Sequence, residues 1–357
     1  MSKSPADNRL YTLDAMRGLA AIIVLAWHFP ELHPFIGNGY LAVDFFFALS
    51  GLVVAKAYEA KLASGLGAWT FMKLRFIRLY PMYILGFALG LLASVAKIFA
   101  DHLPASEIFA LVRPAALNLA MVPAFGSPSL FPINSPSWSL FFEMAINVVF
   151  CLWLTRRSVQ ALMVVALVSG IALAAFGLQN GHLDIGWNWK TFPAGFARVT
   201  YGFTIGMLIW RSGFASAPSS RWISLLVVAI LIAVLVASPP EPYKTISSIV
   251  LVIFVLPSLV ALGARWQLPS GGEASAEALG DLSYPLYAIH KPMVVTTAVP
   301  RMLGFPAPLW VIPFVLGLLI ASWVLGRFID PILRKWLSRL LSRRQIDGRT
   351  AYGALKP

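Results

Sequence analysis

Residues 222–238, WISLLVVAILIAVLVAS, contain no charged side chain and are long enough to cross a bilayer as a helix. Residues 246–262 form a second charge-free run of the same kind. Across the 357 residues, 59% are hydrophobic and 12% are charged, whereas soluble domains carry about 25% charged residues. The sequence therefore predicts an all-α, polytopic bundle of membrane helices.

Apolar runs of this length recur along the whole chain. We predict about ten spans, at residues 13–30, 39–58, 81–100, 137–155, 159–178, 193–210, 222–238, 245–263, 281–299 and 307–327. A further apolar stretch near 108–125 is interrupted by Arg113, Pro114 and Pro123. We interpret it as a re-entrant or interfacial segment, because a crossing there would place Arg156 and Arg157 away from the other basic loops.

The net charge of +13 sorts by predicted membrane side. Most of the 28 Lys and Arg residues fall in loops that share one side, which predicts a multi-pass protein with both termini in the cytoplasm. Because the cations sort by membrane side, we expect them to contact a lipid bilayer and not nucleic acid. We predict a membrane domain over residues 1–330 and a basic, amphipathic cytoplasmic tail over 331–357 that binds anionic lipids.

Arg17 and His28 lie in the first predicted span. Eleven positions of helix separate them by about 16 Å and return them to within about 20° of the same face. Ionisable groups inside a membrane segment are costly and mark function by default. The alternative is that Arg17 reaches the headgroups and His28 caps the other end of the helix.

Three cations, Lys73, Arg75 and Arg78, precede Pro81 at the start of the third span. Clustered cations suit a ligand that carries several phosphates. Ordinary anchoring to the inner leaflet is the alternative interpretation.

Glu143 lies about two turns into the fourth span, with Ser139 and Asn147 on the same helix face. A buried carboxylate needs a partner. Because Glu143 and His28 are both predicted near the outer side, they could meet. A carboxylate that orients a histidine is a general-base arrangement, and a structural hydrogen bond is the alternative.

Other polar residues in apolar surroundings are Asp44, Arg198 and His290. His290 and Lys291 lie between two prolines, and a locally broken helix is tolerated where it lines a cavity. These residues predict a polar bundle interior. No spacing typical of a metal site occurs, and the lone Cys151 excludes an intramolecular disulfide.

Five segments in order resemble acyltransferase family 3, a family of membrane-bound O-acyltransferases. They are residues 13–28 (LDAMRGLAAIIVLAWH), 43–54 (VDFFFALSGLVV), 75–81 (RFIRLYP), 137–143 (SWSLFFE) and 284–292 (YPLYAIHKP). The resemblance covers nearly the whole chain, and the first segment is similar to the family's arginine–ten residues–histidine signature.

The resemblance implies transfer of an acyl group, commonly acetyl, from a cytoplasmic acyl-CoA to a hydroxyl of an extracytoplasmic or lipid-linked glycan. It implies His28 as the base or acyl-handling residue and Glu143 as its support. Arg17, Arg75 and Arg78 would bind the donor together with Lys73, and Asp44, His290, Ser139 and Arg198 are secondary candidates. We expect a bacterial inner-membrane enzyme that uses acyl-CoA as substrate and no resident cofactor.

Some members of the family carry a fused periplasmic esterase-like domain. Since the predicted tail here is short and basic, we expect either direct transfer to the acceptor or completion by a separate periplasmic transferase. A glycan transporter or flippase, and an acyltransferase acting on a small molecule such as a macrolide, are the alternative functions.

Overall fold

The computed structural model describes residues 9–214, 220–268 and 271–353, with side chains up to residue 341. These residues form helices joined by loops and short turns. The α-helices are α1 (Tyr11–His28), α2 (Ala42–Ala63), α3 (Ala68–Ala100), α4 (Ser106–Leu119), α5 (Trp138–Leu152), α6 (Val159–Asn180), α7 (Phe192–Arg211), α8 (Arg221–Val236), α9 (Lys244–Val250), α10 (Leu256–Arg265), α11 (Glu273–Thr296), α12 (Ala298–Met302), α13 (Ala307–Val324) and α14 (Asp330–Gly353).

Each of the ten predicted spans coincides with helix. Six helical stretches of the described chain are long and apolar enough to cross a membrane, and the apolar α8 is shorter. The other three predicted spans are α1, α7 and α11, whose charged residues make them less apolar. A charged helix is tolerated in a membrane bundle when its polar groups face the interior. The prediction of an all-α, polytopic membrane bundle is confirmed.

The central helices pack in two close pairs, α1 with α11 and α2 with α7. Close approach depends on small residues. A Cβ atom at Gly18 of α1 would lie 2.4 Å from the Leu279 carbonyl oxygen of α11, and one at Gly206 of α7 would lie 2.1 Å from the Ala48 oxygen of α2. The first contact fixes the position of α1 against α11, which brings the ends of the two helices together.

Loops predicted to share a membrane side lie at the same end of the bundle. At one end, Arg9 forms ion pairs with Asp14 and Glu277, and Arg327 reaches Glu277 from α13's continuation. At the opposite end, Arg301 donates two hydrogen bonds to Glu31, at 2.6 and 2.9 Å. The alternating up-and-down order predicted from the sequence is therefore preserved in space.

The interrupted segment near 108–125 contains α4, a helix of 14 residues. Such a helix is about 21 Å long, shorter than the roughly 30 Å hydrocarbon core. Most of its side chains are exposed, and Asn118 attaches it by accepting a hydrogen bond from the Tyr83 hydroxyl. The geometry agrees with an interfacial segment rather than a crossing.

The last helix continues through the predicted boundary at residue 331. Residues Ala307–Leu341 form one helical stretch that includes a π-helical turn, Leu325–Ile329. The boundary between a membrane domain and a tail is therefore not marked by a break. Arg343 and Arg344 lie beyond the described side chains, so lipid binding by the tail stays a prediction.

Candidate active site

Two histidines meet where the ends of α1 and α11 come together. His28 is the last residue of α1, and His290 is completely buried in α11. Nε2 of His290 lies 3.2 Å from Nδ1 of His28, and the ring centroids are 4.9 Å apart. Sequence reasoning ranked His290 as secondary, whereas the structure places it in direct contact with the main catalytic candidate.

His28 faces a large cavity, which we call the histidine cavity. It has a volume of about 880 Å³ and is lined by His28, Lys291 and Asp184, together with the aromatic rings of Trp27, Trp138 and Trp187. Burial raises the pKa of the Asp184 carboxyl above its ordinary value. Apolar walls with a few polar groups are typical of a small-molecule site.

A second cavity, the arginine cavity, contains the predicted donor-binding arginines. It has a volume of about 160 Å³, and its lining includes Arg17, Arg75 and Arg78. Nε of Arg17 and Nε of Arg75 are buried, and neither has a hydrogen-bond partner among the described residues. Unsatisfied buried donors are rare in proteins and require an explanation. Both donors belong to arginines that line the cavity.

The terminal guanidinium nitrogens of Arg17 and Arg78 have partners. Arg17 donates to the Gly280 carbonyl at 2.9 Å and lies 3.1 Å from Asp14. Arg78 lies 3.5 Å from the buried Asp330 of α14 and stacks over the Tyr284 ring at 5.8 Å. The contacts hold both guanidinium groups at the cavity wall.

Lys73 lies outside the lining of the arginine cavity, so its grouping with the donor-binding residues stays a prediction. Its Nζ donates a hydrogen bond to the Leu341 carbonyl of α14 at 2.9 Å. Residues two positions apart on a helix point in different directions, whereas residues three apart share a face. Arg75 and Arg78 therefore line the cavity together and Lys73 does not.

Glu143 also lines the arginine cavity, and its predicted contact with His28 was wrong. Its Oε1 accepts hydrogen bonds from Arg75 at 2.7 Å and from Ser50 at 2.9 Å. Arg75 is buried and Glu143 is 18% exposed, so each ion needs the other for compensation. Arg75 of α3 therefore pairs with the carboxylate of Glu143, which the sequence suggested as a partner for His28.

Asp44 and Arg198 form a buried ion pair between α2 and α7. The guanidinium donates two hydrogen bonds to the carboxylate, at 2.9 and 2.6 Å, and a third to the Ile185 carbonyl at 2.6 Å. Both side chains are at most 3% exposed. Because the arginine also reaches the loop before α7, this pair holds the wall of the histidine cavity.

Tyr287 is a site residue that sequence reasoning missed. It lines both cavities, and its hydroxyl lies 2.7 Å from the Ser139 hydroxyl. Ser139, a secondary candidate, is buried and thereby fixes the Tyr287 ring. The available signal was spacing, since Tyr287 precedes His290 by three positions on α11 and shares its face.

Comparisons with known proteins identify the family. A family model described as "Acyltransferase domain" (Acyl_transf_3) matches residues 10–327. "Protein 2 in picA locus" of Rhizobium radiobacter is 36% identical over 190 residues, which are 48% of this chain and 96% of that protein. "Acyltransferase MdmB" of Streptomyces mycarofaciens is 30% identical over 165 residues, 42% of this chain and 40% of that protein. No solved structure matches significantly.

The helical bundle and its polar interior define a membrane enzyme of the acyltransferase class. Because the family model covers most of the chain, the protein belongs to the acyltransferase family that this model describes. The resemblance inferred from the five sequence segments is confirmed, and so is the prediction of an acyltransferase.

Proposed function

We propose that this enzyme transfers an acyl group, commonly acetyl, from cytoplasmic acyl-CoA to a hydroxyl of an extracytoplasmic or lipid-linked glycan. The observation that carries the proposal is the adjacency of the two cavities. Val43 and Tyr287 line both, so the arginine cavity and the histidine cavity meet at these two side chains. A donor anchored at the first cavity has its thioester directed toward the second.

The arginine cavity suits the phosphates of coenzyme A. Arg17, Arg75 and Arg78 line it, and planar guanidinium groups bind phosphate oxygens through paired hydrogen bonds. The positive-inside bias assigns this end of the bundle to the cytoplasm, where acyl-CoA is available.

The histidine cavity suits a sugar acceptor. Flat rings such as Trp27 and Trp187 can cover the apolar faces of a sugar, while Asp184 and Lys291 can bind its hydroxyl groups. The cavity lies at the end of the bundle that the charge bias assigns to the outside.

His28 is the proposed general base. Its Nε2 accepts the proton of the acceptor hydroxyl while that oxygen attacks the thioester carbonyl carbon. As the C–O bond forms, the C–S bond breaks and coenzyme A leaves as thiolate. The imidazolium of His28 then returns the proton to the thiolate, so the products are an ester and the free thiol.

The test is acyl transfer by the full-length protein in vesicles of phosphatidylethanolamine and phosphatidylglycerol. Radiolabelled acetyl-CoA is supplied with a lipid-linked oligosaccharide, a soluble oligosaccharide or a macrolide. We expect label on a sugar hydroxyl of a glycan, and a loss of about a hundredfold or more in His28→Ala. His182→Ala, at an exposed loop histidine, is the matched control and should retain wild-type activity.

Three results would contradict the proposal. Label on the macrolide alone would replace the glycan with a small-molecule acceptor. Glycan movement across the vesicle without label would indicate a transporter. Wild-type activity in a folded His28→Ala protein would exclude the role of the histidine.

We also propose a bacterial inner-membrane location with both termini in the cytoplasm. In a Cys151→Ser background, Ser64→Cys and Ala105→Cys each place one thiol at an exposed loop position on opposite ends of the bundle. A membrane-impermeant maleimide added to spheroplasts should label position 105, and position 64 only after permeabilisation. Labelling with the opposite preference would invert the topology and with it the assignment of the donor side.

A further inference from the structure

The hydrogen bonds of His290 determine which of its ring nitrogens carries the proton. Its Nδ1 lies 3.1 Å from the Leu286 carbonyl oxygen and 2.9 Å from that of Tyr287. A carbonyl oxygen only accepts, so Nδ1 must be protonated and must donate. In the neutral ring, Nε2 of His290 is therefore an acceptor, and it lies against His28.

The same reasoning fixes His28. Its Nδ1 lies 2.9 Å from the Val24 carbonyl oxygen and 3.2 Å from Nε2 of His290. If His290 donated to this nitrogen, a lone pair of His28 would face the Val24 oxygen. The Val24 carbonyl thus decides the direction: His28 donates from Nδ1, and one N–H is shared between the oxygen and His290.

The consequence is a defined free nitrogen on His28. With the proton on Nδ1, Nε2 of the neutral ring carries the lone pair. Among the described residues, no hydrogen-bond partner of this Nε2 is found, and His28 lines the histidine cavity. The nitrogen needed for proton abstraction is the one left available to an acceptor.

Near His290, a side chain from another segment replaces a missing backbone hydrogen bond of α11. Pro292 has no N–H and cannot donate to the Ala288 carbonyl, four residues earlier. Nδ2 of Asn134 donates to that oxygen instead, at 2.8 Å. The loop before α5 is thus attached to α11 at Ala288, two residues before His290, and this contact restricts movement of the histidine.

We infer that His290 is a positioning residue that, together with the Val24 carbonyl, holds His28 in the Nδ1-protonated tautomer and fixes its ring, in the place where many enzymes use a carboxylate. This inference rests on the proposed function of His28. A neutral acceptor avoids burying an anion beside His28. Glu143, the carboxylate that the sequence suggested for this place, is paired with Arg75. When His28 takes the proton of the hydroxyl at Nε2, His290 and Val24 both accept from the positively charged ring.

The test compares His290→Phe with His290→Gln in the full-length protein in vesicles. Phenylalanine fills the space but has no acceptor, whereas the glutamine side-chain oxygen can occupy the position of Nε2. We expect kcat of the phenylalanine variant to fall about ten- to a hundredfold, as for other residues that orient a ligand histidine. KM for acetyl-CoA should stay within about twofold, because the donor phosphates bind at the arginine cavity.

Glutamine should restore most of kcat. Wild-type kcat in His290→Phe, or a glutamine variant as inactive as the phenylalanine variant while both bind acetyl-CoA normally, would overturn the inference. If the wild type acylates none of the acceptors, the proposed function fails instead.

The tautomer of His28 can also be measured by ¹⁵N NMR, which does not depend on enzymatic activity and so tests the positioning role separately from the proposed function. The chain has five histidines, few enough for the ¹⁵N signals of His28 to be assigned by comparison with His28→Ala. The wild type should show protonation at Nδ1 of His28. In His290→Phe the ¹⁵N shifts of His28 should move toward those of the Nε2-protonated form, because the Val24 carbonyl is then the one acceptor left at Nδ1 among the described contacts of His28. Unchanged ¹⁵N shifts in His290→Phe would contradict the positioning role.

Discussion

Val43 of α2 and Tyr287 of α11 both line the arginine cavity and the histidine cavity, and both residues are at most 7% exposed. The Tyr287 ring is fixed there by the Ser139 hydroxyl and packs edge-on against Phe46 at 5.8 Å between centroids. On the proposed route, an acyl group that moves from the arginine cavity to His28 passes these two side chains.

Enlarging Val43 should therefore separate donor binding from transfer. In Val43→Phe the added ring occupies the junction, so we expect acetyl-CoA to bind with an affinity within about threefold of wild type while kcat falls at least about tenfold. Overpacking of a buried position also costs about 1–3 kcal/mol of stability. Acetyl-CoA binding and single-turnover transfer are the measurements.

The control for this variant is Val148→Phe, the same change at an exposed position of α5. It should leave both measurements unchanged. Normal transfer by a folded Val43→Phe protein would mean that the acyl group does not pass the junction.

The ion pair of Arg75 and Glu143 should show strong coupling. Arg75→Ala leaves a carboxylate without its cation, which costs about 3–5 kcal/mol for a buried pair. We expect thermal unfolding of the detergent-solubilised protein to show a large loss for Arg75→Ala and partial recovery in the Arg75→Ala/Glu143→Ala double variant. Donor affinity should stay low in both, since both lack a guanidinium of the arginine cavity.

The single variant Glu143→Ala completes the comparison. If the stability losses of Arg75→Ala and Glu143→Ala add up to the loss of the double variant, the two residues are not coupled. Arg75→Lys provides a second comparison. It keeps the charge but cannot reproduce the planar guanidinium, so stability should recover more than donor affinity.

Asp44 and Arg198 are expected to determine stability rather than chemistry. Arg198→Lys retains the charge but cannot make the paired bonds to Asp44 together with the bond to the Ile185 carbonyl. We expect a lower thermal midpoint, corresponding to about 1–3 kcal/mol for the unmade hydrogen bonds. The kcat of the protein that remains folded should be close to that of the wild type.

Arg113→Lys is the matched control, because Arg113 is exposed on α4. Its thermal midpoint should not change. If Arg198→Lys abolished transfer without lowering the midpoint, Arg198 would belong to the chemistry of the histidine cavity.

The Glu31–Arg301 pair predicts a dependence of stability on pH at the loop end of α1. Hydrogen bonding to Arg301 lowers the pKa of Glu31 below its ordinary value of 4.5. A carboxyl with a depressed pKa stabilises the folded state above its unfolded pKa, and this contribution is lost as the pH falls through the folded value.

The midpoint difference between wild type and Glu31→Gln should accordingly be constant from neutral pH down to about pH 5 and shrink below that. The effect is small, about 1 kcal/mol, because the pair is partly exposed. A difference that grew toward low pH would contradict the sign of this linkage.

The membrane fold and the chemistry-bearing residues were predictable to different degrees. The apolar runs located every predicted span on a helix, because burial in lipid requires local, continuous apolarity. The spacing of Arg75 and Arg78 correctly grouped them, whereas Lys73, two positions away, was grouped by proximity in the chain and faces α14. Helix geometry would have separated it.

The sequence by itself determined the helical membrane bundle, the common side of its basic loops and the positions of Arg17, His28, Glu143 and His290. Only the tertiary structure decided the partners. His28 and His290 are 262 residues apart, and Arg75 and Glu143 are 68 apart. Such contacts depend on the depth and rotation of each helix against its neighbours, which close packing at Gly18 and similar positions sets and which no local pattern encodes. For that reason the carboxylate expected beside His28 lies with an arginine, and a second histidine lies in its place.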